Sequence, residues 1–352
     1  MNENKAHIAW LDTLRTIAIL GVILIHICSP IVNMSFGKDF QYWWIGDFLM
    51  SATRYAVPVF LMLSGATLLS KEYKLGEFYK RRFFRVFVPL LFWMIVYWIF
   101  RYTSLPARMQ PHGFENIVRW AINLFLTEGV SKHLWYVYMI VFIYLIIPFL
   151  GKFIRSVDRS IIVQLILIWL TLTIISNHHS MNPYRWDGNY LDKFYGYFLY
   201  CGYLILGYYI YTYVHVSENN RFIYIFLFML TVIICAYFAY SRSIKTGRLN
   251  LNIYRYLSLT TILQSTCIFT IVKTVRFKKK FHLWFQKTVS DYSFGIYLVH
   301  IMILGIFFRH GIFWTMAHPL ISVPVVFLLT LITSFIIIFV LRKIPYGKYV
   351  SG

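Results

Sequence analysis

Arg15 and His26 stand eleven residues apart in one apolar run, Ile8–Ile27. At 100° per residue that spacing is about three turns of helix, so both side chains lie on one face, about 16 Å apart along the axis. An arginine is a fixed cation whose planar fork suits a phosphate or carboxylate. A neutral imidazole can take a proton from a hydroxyl. A second pair, Arg82 and Arg85, falls in the run Lys80-Arg81-Arg82-Phe83-Phe84-Arg85. Three residues apart, they share a helical face, and paired guanidinium groups hold phosphate in bidentate fashion. Such a run also anchors the inner end of a membrane span, and spacing alone leaves both readings open.

Further polar residues recur near the same depth as His26. They are Arg54, the stretch His133-Leu134-Trp135-Tyr136, and His300. Ser293, Tyr297 and His300 are spaced i, i+4, i+7 and form one helical stripe. A lone His300 is most simply a buried polar group satisfied by a neighbouring helix. Arg54 falls inside an apolar span and needs a partner there. Pro58, one turn on, is expected to kink that span, and Ser64-Gly65 permits a close approach to a helix or a ligand.

Other chemistries lack a motif. His178-His179 lies in a polar stretch without the i, i+4 spacing of a helical zinc pair, so no metal is expected. There is no GxSxG elbow and no Walker loop. Cys28, Cys201, Cys235 and Cys267 have no CxxC spacing and read as small core residues.

These groups must be positioned by membrane helices. Hydrophobic residues make up 59% of the 352 and charged residues 13%, with mean hydropathy +0.62. Apolar runs of about 20 residues, the length that crosses a hydrocarbon core of about 30 Å, recur along the chain. The first carries Asp12 and Arg15 and lacks a small-residue cleavage site, so it reads as a membrane helix rather than a signal peptide. We expect an all-α integral membrane protein with about ten spans. They fall at 8–29, 45–70, 84–101, 133–150, 159–177, 194–213, 221–241, 251–272, 289–309 and 317–341. Phe114–Thr127 is shorter, carries Glu115 and Arg119, and reads as an interfacial or re-entrant helix. One membrane domain, 1–352, is expected, with no fused extracytoplasmic domain.

With the N-terminus inside, 20 of the 34 Lys and Arg fall in inner segments and 11 in outer ones. That bias places both termini in the cytoplasm. One outer segment, Arg242–Arg248, runs against it. The net charge of +21 comes largely from the inner segments and reads as topology plus attraction to anionic lipid. Spread over short loops, it gives nucleic-acid binding little support. The aromatic fraction of 20% suits interfacial belts and also an outer sugar-binding surface.

In order and spacing these elements resemble the membrane-bound acyltransferase-3 family over nearly the whole chain. The carriers are Leu11-Asp12-x-Leu14-Arg15 with His26 at the far end of the span, and Ser51-Ala52-x-Arg54 before Val57-Pro58-Val59-Phe60-x-x-x-Ser64-Gly65. After these come Arg82/Arg85, His133-Leu134-Trp135-Tyr136, and Ser293-Phe294-Gly295-Ile296-Tyr297-Leu298-x-His300. The branch most similar in appearance O-acetylates enterobacterial common antigen.

The resemblance implies acetyl-CoA or another acyl-CoA as donor on the cytoplasmic side of a bacterial inner membrane. The implied acceptor is a hydroxyl of a cell-surface or lipid-linked glycan on the outer side. It implies that His26 is catalytic and that Arg15, Arg82 and Arg85 bind or position the donor, with Arg81 and Ser64 beside them. Arg54, His133, Trp135, Tyr136, Tyr297 and His300 are then expected on the acceptor or oxyanion side. Direct attack of the hydroxyl and an acyl-histidine relay both remain open. A transporter or flippase of glycan precursors is the rival reading, since buried ionisable residues and kinked helices serve it too. No internal repeat supports that rival.

Overall fold

The computed structural model describes residues 3–127, 130–178, 190–275 and 280–352. His179, Arg276, Lys278 and Lys279, which enter the sequence argument, lie outside them. The described residues form thirteen α-helices and no strand. They are α1 (Glu3–Ser35), α2 (Phe40–Ala52), α3 (Ala56–Ser64), α4 (Leu75–Arg82), α5 (Val88–Ser104), α6 (Phe114–Leu126), α7 (Trp135–Ser156), α8 (Arg159–His178), α9 (Tyr190–Tyr213), α10 (Arg221–Thr246), α11 (Leu259–Thr274), α12 (Lys280–Arg309) and α13 (Pro319–Lys343).

Nine helical segments among the described residues are long and apolar enough to cross a membrane. The 24-residue α9 fills the place of the remaining expected span. Large apolar side chains such as Ile95, Phe149, Phe226 and Ile336 stand exposed on the outside of the bundle. A soluble protein could not keep so large an apolar surface in water, whereas lipid solvates it. This is a multi-pass membrane protein.

Helix α1 is the hub, packing on α2, α3, α11, α12 and α13. Its buried residues include Leu14, Ala18, Ile19, Ile23 and Ile31, and Thr13 and Thr16 hydroxyls donate to Gln286 of α12 at 2.9 Å each. On the other side, α3 lies against α9 with almost no space between the backbones. A Cβ on Gly65 would overlap the Leu204 carbonyl, and one on Gly207 would overlap Met62. Small residues at such crossings are how membrane helices gain close packing when apolar side chains have no preference between protein and lipid.

One expectation changes on contact with the structure. The second span is not one kinked helix. It breaks at Thr53–Tyr55, ahead of Pro58, and Thr53 caps the break by donating to the Leu49 and Met50 carbonyls at 2.9 and 3.1 Å. Pro58 instead sits in the first turn of α3, where its missing N–H costs no hydrogen bond. The basic run at 80–85 is helical, as the shared face of Arg82 and Arg85 requires. It lies on α4 and on a π-helical turn, Phe83–Phe87, that leads directly into α5.

The segment expected to be interfacial is α6, a 13-residue helix with Leu124 as its one buried residue. At 1.5 Å per residue it reaches about 20 Å, too short to span. Arg242 and Lys245, which ran against the charge bias, fall in the last turns of α10, whose C-terminus is closed by Gly247 at φ 64°. Cations there are favoured by the helix dipole whatever the side of the membrane.

Candidate functional site

Helix α1 carries Arg15 and His26 without a break between them. Arg15 Nη1 donates to Asp12 Oδ1 at 3.0 Å. The same carboxylate oxygen accepts from Ser290 Oγ of α12 at 2.8 Å. The Arg15 side chain keeps 36% exposure while Asp12 keeps 13%, so the carboxylate fixes the arginine and leaves its guanidinium open to a cavity.

That cavity has a volume of about 520 Å³. Arg15, Lys71, Arg82 and Arg85 make its cationic mouth, Leu63, Val137 and Ile140 its apolar wall, and Tyr136 and Tyr297 line it as well. Ser64 lines it too, with its hydroxyl donated to the Phe60 carbonyl at 3.0 Å. Several local devices shape the mouth. The guanidinium carbon of Arg82 lies 5.1 Å from the Tyr144 ring centroid and 5.4 Å from that of Phe78. Arg155 donates to the carbonyls of Leu69 and Lys71, both at 2.7 Å, and so closes the π-helical turn Gly65–Leu69. Arg342 donates to the carbonyls of Asp291 and Gly352 at 2.8 and 2.7 Å and holds both residues at the cavity wall.

Arg81 does not share this cavity. Its side chain is 82% exposed and lies 3.9 Å from Glu77. It lines an adjoining recess with Lys74 and Tyr73, and Arg82 and Arg85 form a wall common to both spaces.

Beyond the cavity lies a cluster of three histidines. The ring of His26 is 5.2 Å from that of His300 and 6.5 Å from that of His133, and His133 and His300 are 5.4 Å apart. His133 and His300 are buried and His26 is half-buried. Tyr297 joins cavity and cluster. It lines the former, its hydroxyl donates to the His133 carbonyl, and its ring stands 5.7 Å from His300. His26 itself does not line the cavity.

Arg54 and Trp135 form a separate group. Arg54 is 6% exposed, and its guanidinium carbon sits 4.4 Å from the Tyr256 ring and 5.4 Å from that of Tyr254. Trp135 stacks on Tyr256 at 5.7 Å. The partner that Arg54 requires is therefore aromatic, and the rings offset part of the cost of burying the cation.

The structure gathers Arg15, Ser64, Arg82, Arg85, Tyr136 and Tyr297 around one space and His26, His133 and His300 in a cluster, whereas the sequence reading places Tyr136 and Tyr297 with the histidines on the acceptor side and apart from Arg82 and Arg85. That reading missed the carboxylate of Asp12 as the anchor of Arg15, although the i, i+3 spacing was legible. It missed Tyr144, which follows Tyr136 and Ile140 at helical spacing on the cavity side of α7. Ser290 and Lys71 had no local signal. Their roles depend on how α12 and α3 close on α1.

No group of three or more His, Cys, Asp or Glu side chains among the described residues is arranged to hold a metal ion. No solved structure matches the chain. A serine/alanine racemase from Enterococcus gallinarum is 31% identical over 130 residues, which are 36% of this chain and 17% of that protein. The chain thus corresponds to a small part of that relative. Residues 8–342 match a protein-family profile described as an acyltransferase domain, and the chain belongs to this acyltransferase-3 family.

Proposed function

We propose that the protein is a membrane O-acyltransferase. It takes an acyl group, an acetyl group in the first instance, from acyl-CoA at the cytoplasmic face of a bacterial inner membrane. The acceptor is a hydroxyl of a cell-surface or lipid-linked glycan on the outer side. The observation that carries this reading is the succession of sites along α1. Four cations gather at the mouth of a cavity that Tyr297 also lines, and Tyr297 touches the three-histidine cluster.

Arg82, Arg85 and Lys71 match the phosphates of the donor, and the apolar wall of Leu63, Val137 and Ile140 matches its thin pantetheine arm. Arg15, anchored by Asp12, stands where that arm enters. His26 then removes the proton of the attacking hydroxyl. The new oxygen–carbon bond forms, the carbon–sulfur bond breaks, and the proton returns from His26 to the thiolate. The products are an ester and the CoA thiol, with no net proton released. Enterobacterial common antigen is one acceptor of the proposed class.

The test is release of free CoA from acetyl-CoA by protein in lipid nanodiscs, with a cell-envelope glycan fraction as acceptor. Acceptor-dependent release that is lost in His26→Ala supports the reading. A folded wild type that releases nothing from acetyl-CoA or any other acyl-CoA leaves transport of glycan precursors as the reading to pursue.

A further inference from the structure

A base that takes up a proton works best when its second ring nitrogen is held. In triad enzymes a carboxylate does this, fixing the tautomer and stabilising the imidazolium. Among the described residues no ion pair joins His26 to a carboxylate. An ionised carboxylate would also be costly at this depth, where nothing solvates it. What faces His26 is the imidazole of His300 and of His133, with the Arg54 cation within electrostatic reach.

His300 is the nearer of the two neighbours. Its Nδ1 lies 2.6 Å from the Tyr297 carbonyl, one turn back on α12. A carbonyl oxygen only accepts, so Nδ1 carries the hydrogen and donates it. In the neutral ring Nε2 is then a bare acceptor. That Nε2 is buried without a hydrogen-bond partner, in a residue of 0% exposure. Buried acceptors are rarely left without a donor.

The nearby hydroxyls are already committed. Tyr97 donates to the Leu298 carbonyl at 2.9 Å and Tyr297 donates to that of His133. His133 is engaged at its Nδ1 by Ser131 Oγ at 2.8 Å, but its Nε2 is buried without a partner as well. Two imidazoles are left to supply the donor, and His26 is the nearer, with its ring centroid 5.2 Å from that of His300, against 5.4 Å for His133, and the planes at 52°. Ring nitrogens lie about 1.2 Å from their centroids, so rotation of the His26 ring brings N–H and N within about 3 Å, a hydrogen-bond length.

We propose that His300 is the positioning residue of His26, its Nε2 accepting the N–H of the His26 ring in a neutral imidazole–imidazole dyad. The inference rests on His26 being the base. Held in this way, His26 presents its other nitrogen, a lone pair, to the acceptor hydroxyl. The O–H proton moves to that nitrogen and later to the thiolate, while the His26–His300 hydrogen bond persists. His300 neither gains nor loses a proton. The dyad thus does the work of a His–carboxylate pair without a buried anion.

The test compares wild type with His26→Ala, His300→Leu, His300→Gln and His133→Gln in nanodiscs, measuring kcat, the donor KM and the melting temperature of each. With the tautomer no longer fixed, His300→Leu is expected to lose about 10²–10⁴-fold in kcat, the scale of removing such a partner, with donor KM within about twofold. His300→Gln, whose Oε1 also accepts an N–H, is expected to recover at least about tenfold over Leu. His133→Gln is expected to cost less than His300→Leu. A residue that only fills space gives no such rescue. The proposal is overturned if His26→Ala is dead while His300→Leu keeps wild-type kcat. It is equally overturned if His300→Gln melts like wild type yet has no measurable turnover, a comparison that needs no folded Leu variant. Activity in His26→Ala would instead remove the base reading itself.

Discussion

Arg15 and Asp12 are paired one turn apart on α1, Nη1 to Oδ1 at 3.0 Å, and the oxygen that receives Arg15 also receives Ser290 from α12. One carboxylate therefore orients the arginine at the cavity mouth and ties the two helices that carry His26 and His300. Asp12→Asn keeps the shape and removes the charge. A charge-assisted bond is worth about 1.5–3 kcal/mol, and Arg15 is partly solvated, so the lower end applies. The expected result is a donor KM raised about tenfold with kcat within about threefold. An unchanged donor KM would separate Arg15 from the donor.

The Arg82/Arg85 wall predicts an ionic-strength effect. Both side chains face the main cavity and the adjoining recess, so a polyanionic donor meets them in either space. Arg82→Gln and Arg85→Gln are each expected to raise the donor KM by about tenfold or more, scaled to a lost charge-assisted contact. Wild-type donor KM should rise with salt, and the double variant should lose most of that dependence. Arg81→Gln, on a side chain that faces away from the main cavity, is expected to change donor KM much less. Equal effects from all three would point to general attraction by a charged surface.

Much of this arrangement is legible in the chain, and the parts that are not share a cause. Helical spacing places Arg15 with His26, and Ser293 with Tyr297, because those relations live within one helix. The spans are legible because an apolar run of that length has few other uses. Pro58 misled because a proline marks a break only when it falls inside a helix, and the chain breaks five residues earlier at Thr53. The joining of His26, His133 and His300 depends on α1, the Lys132–Leu134 turn ahead of α7, and α12 meeting, which no local spacing encodes. Arg54 shows the same limit. Its need for a partner was readable, but the choice of Tyr254 and Tyr256 came from a connection far along the chain.

The α3–α9 crossing gives a prediction about stability rather than chemistry. At Gly207 a Cβ would overlap the backbone of Met62, which cannot yield as a side-chain tip can. Gly207→Ala is therefore expected to destabilise by about 1–3 kcal/mol, the range for overpacking. It should appear as a lower melting temperature of the solubilised protein. Gly305→Ala is the control. Its Cβ would meet Phe100 at 3.5 Å, ordinary contact, and alanine suits a helix interior better than glycine. If both substitutions left the melting temperature unchanged, backbone contact at this crossing would not be what holds α9 in place.

The last prediction concerns Arg54, a buried cation that forms no ion pair among the described residues. Its guanidinium lies over two tyrosine rings, Tyr256 is in turn stacked on Trp135, and its Nε has no hydrogen-bond partner. A cation held by ring faces rather than by a bidentate carboxylate leaves this Nε available to an incoming oxygen. It also stands apart from the donor cavity, whose walls do not include it. Under the proposed function Arg54 therefore acts on the acceptor side. Arg54→Lys retains a charge but not the planar fork. The expected result is an acceptor KM raised about tenfold, donor KM unchanged, and little loss of protein from the membrane. Tyr256→Phe keeps the ring face and should stay near wild type, whereas Tyr256→Leu removes the face and should resemble Arg54→Lys. A rise in donor KM instead would place Arg54 with the donor, and the separation of the two groups of residues would then have no bearing on substrate order.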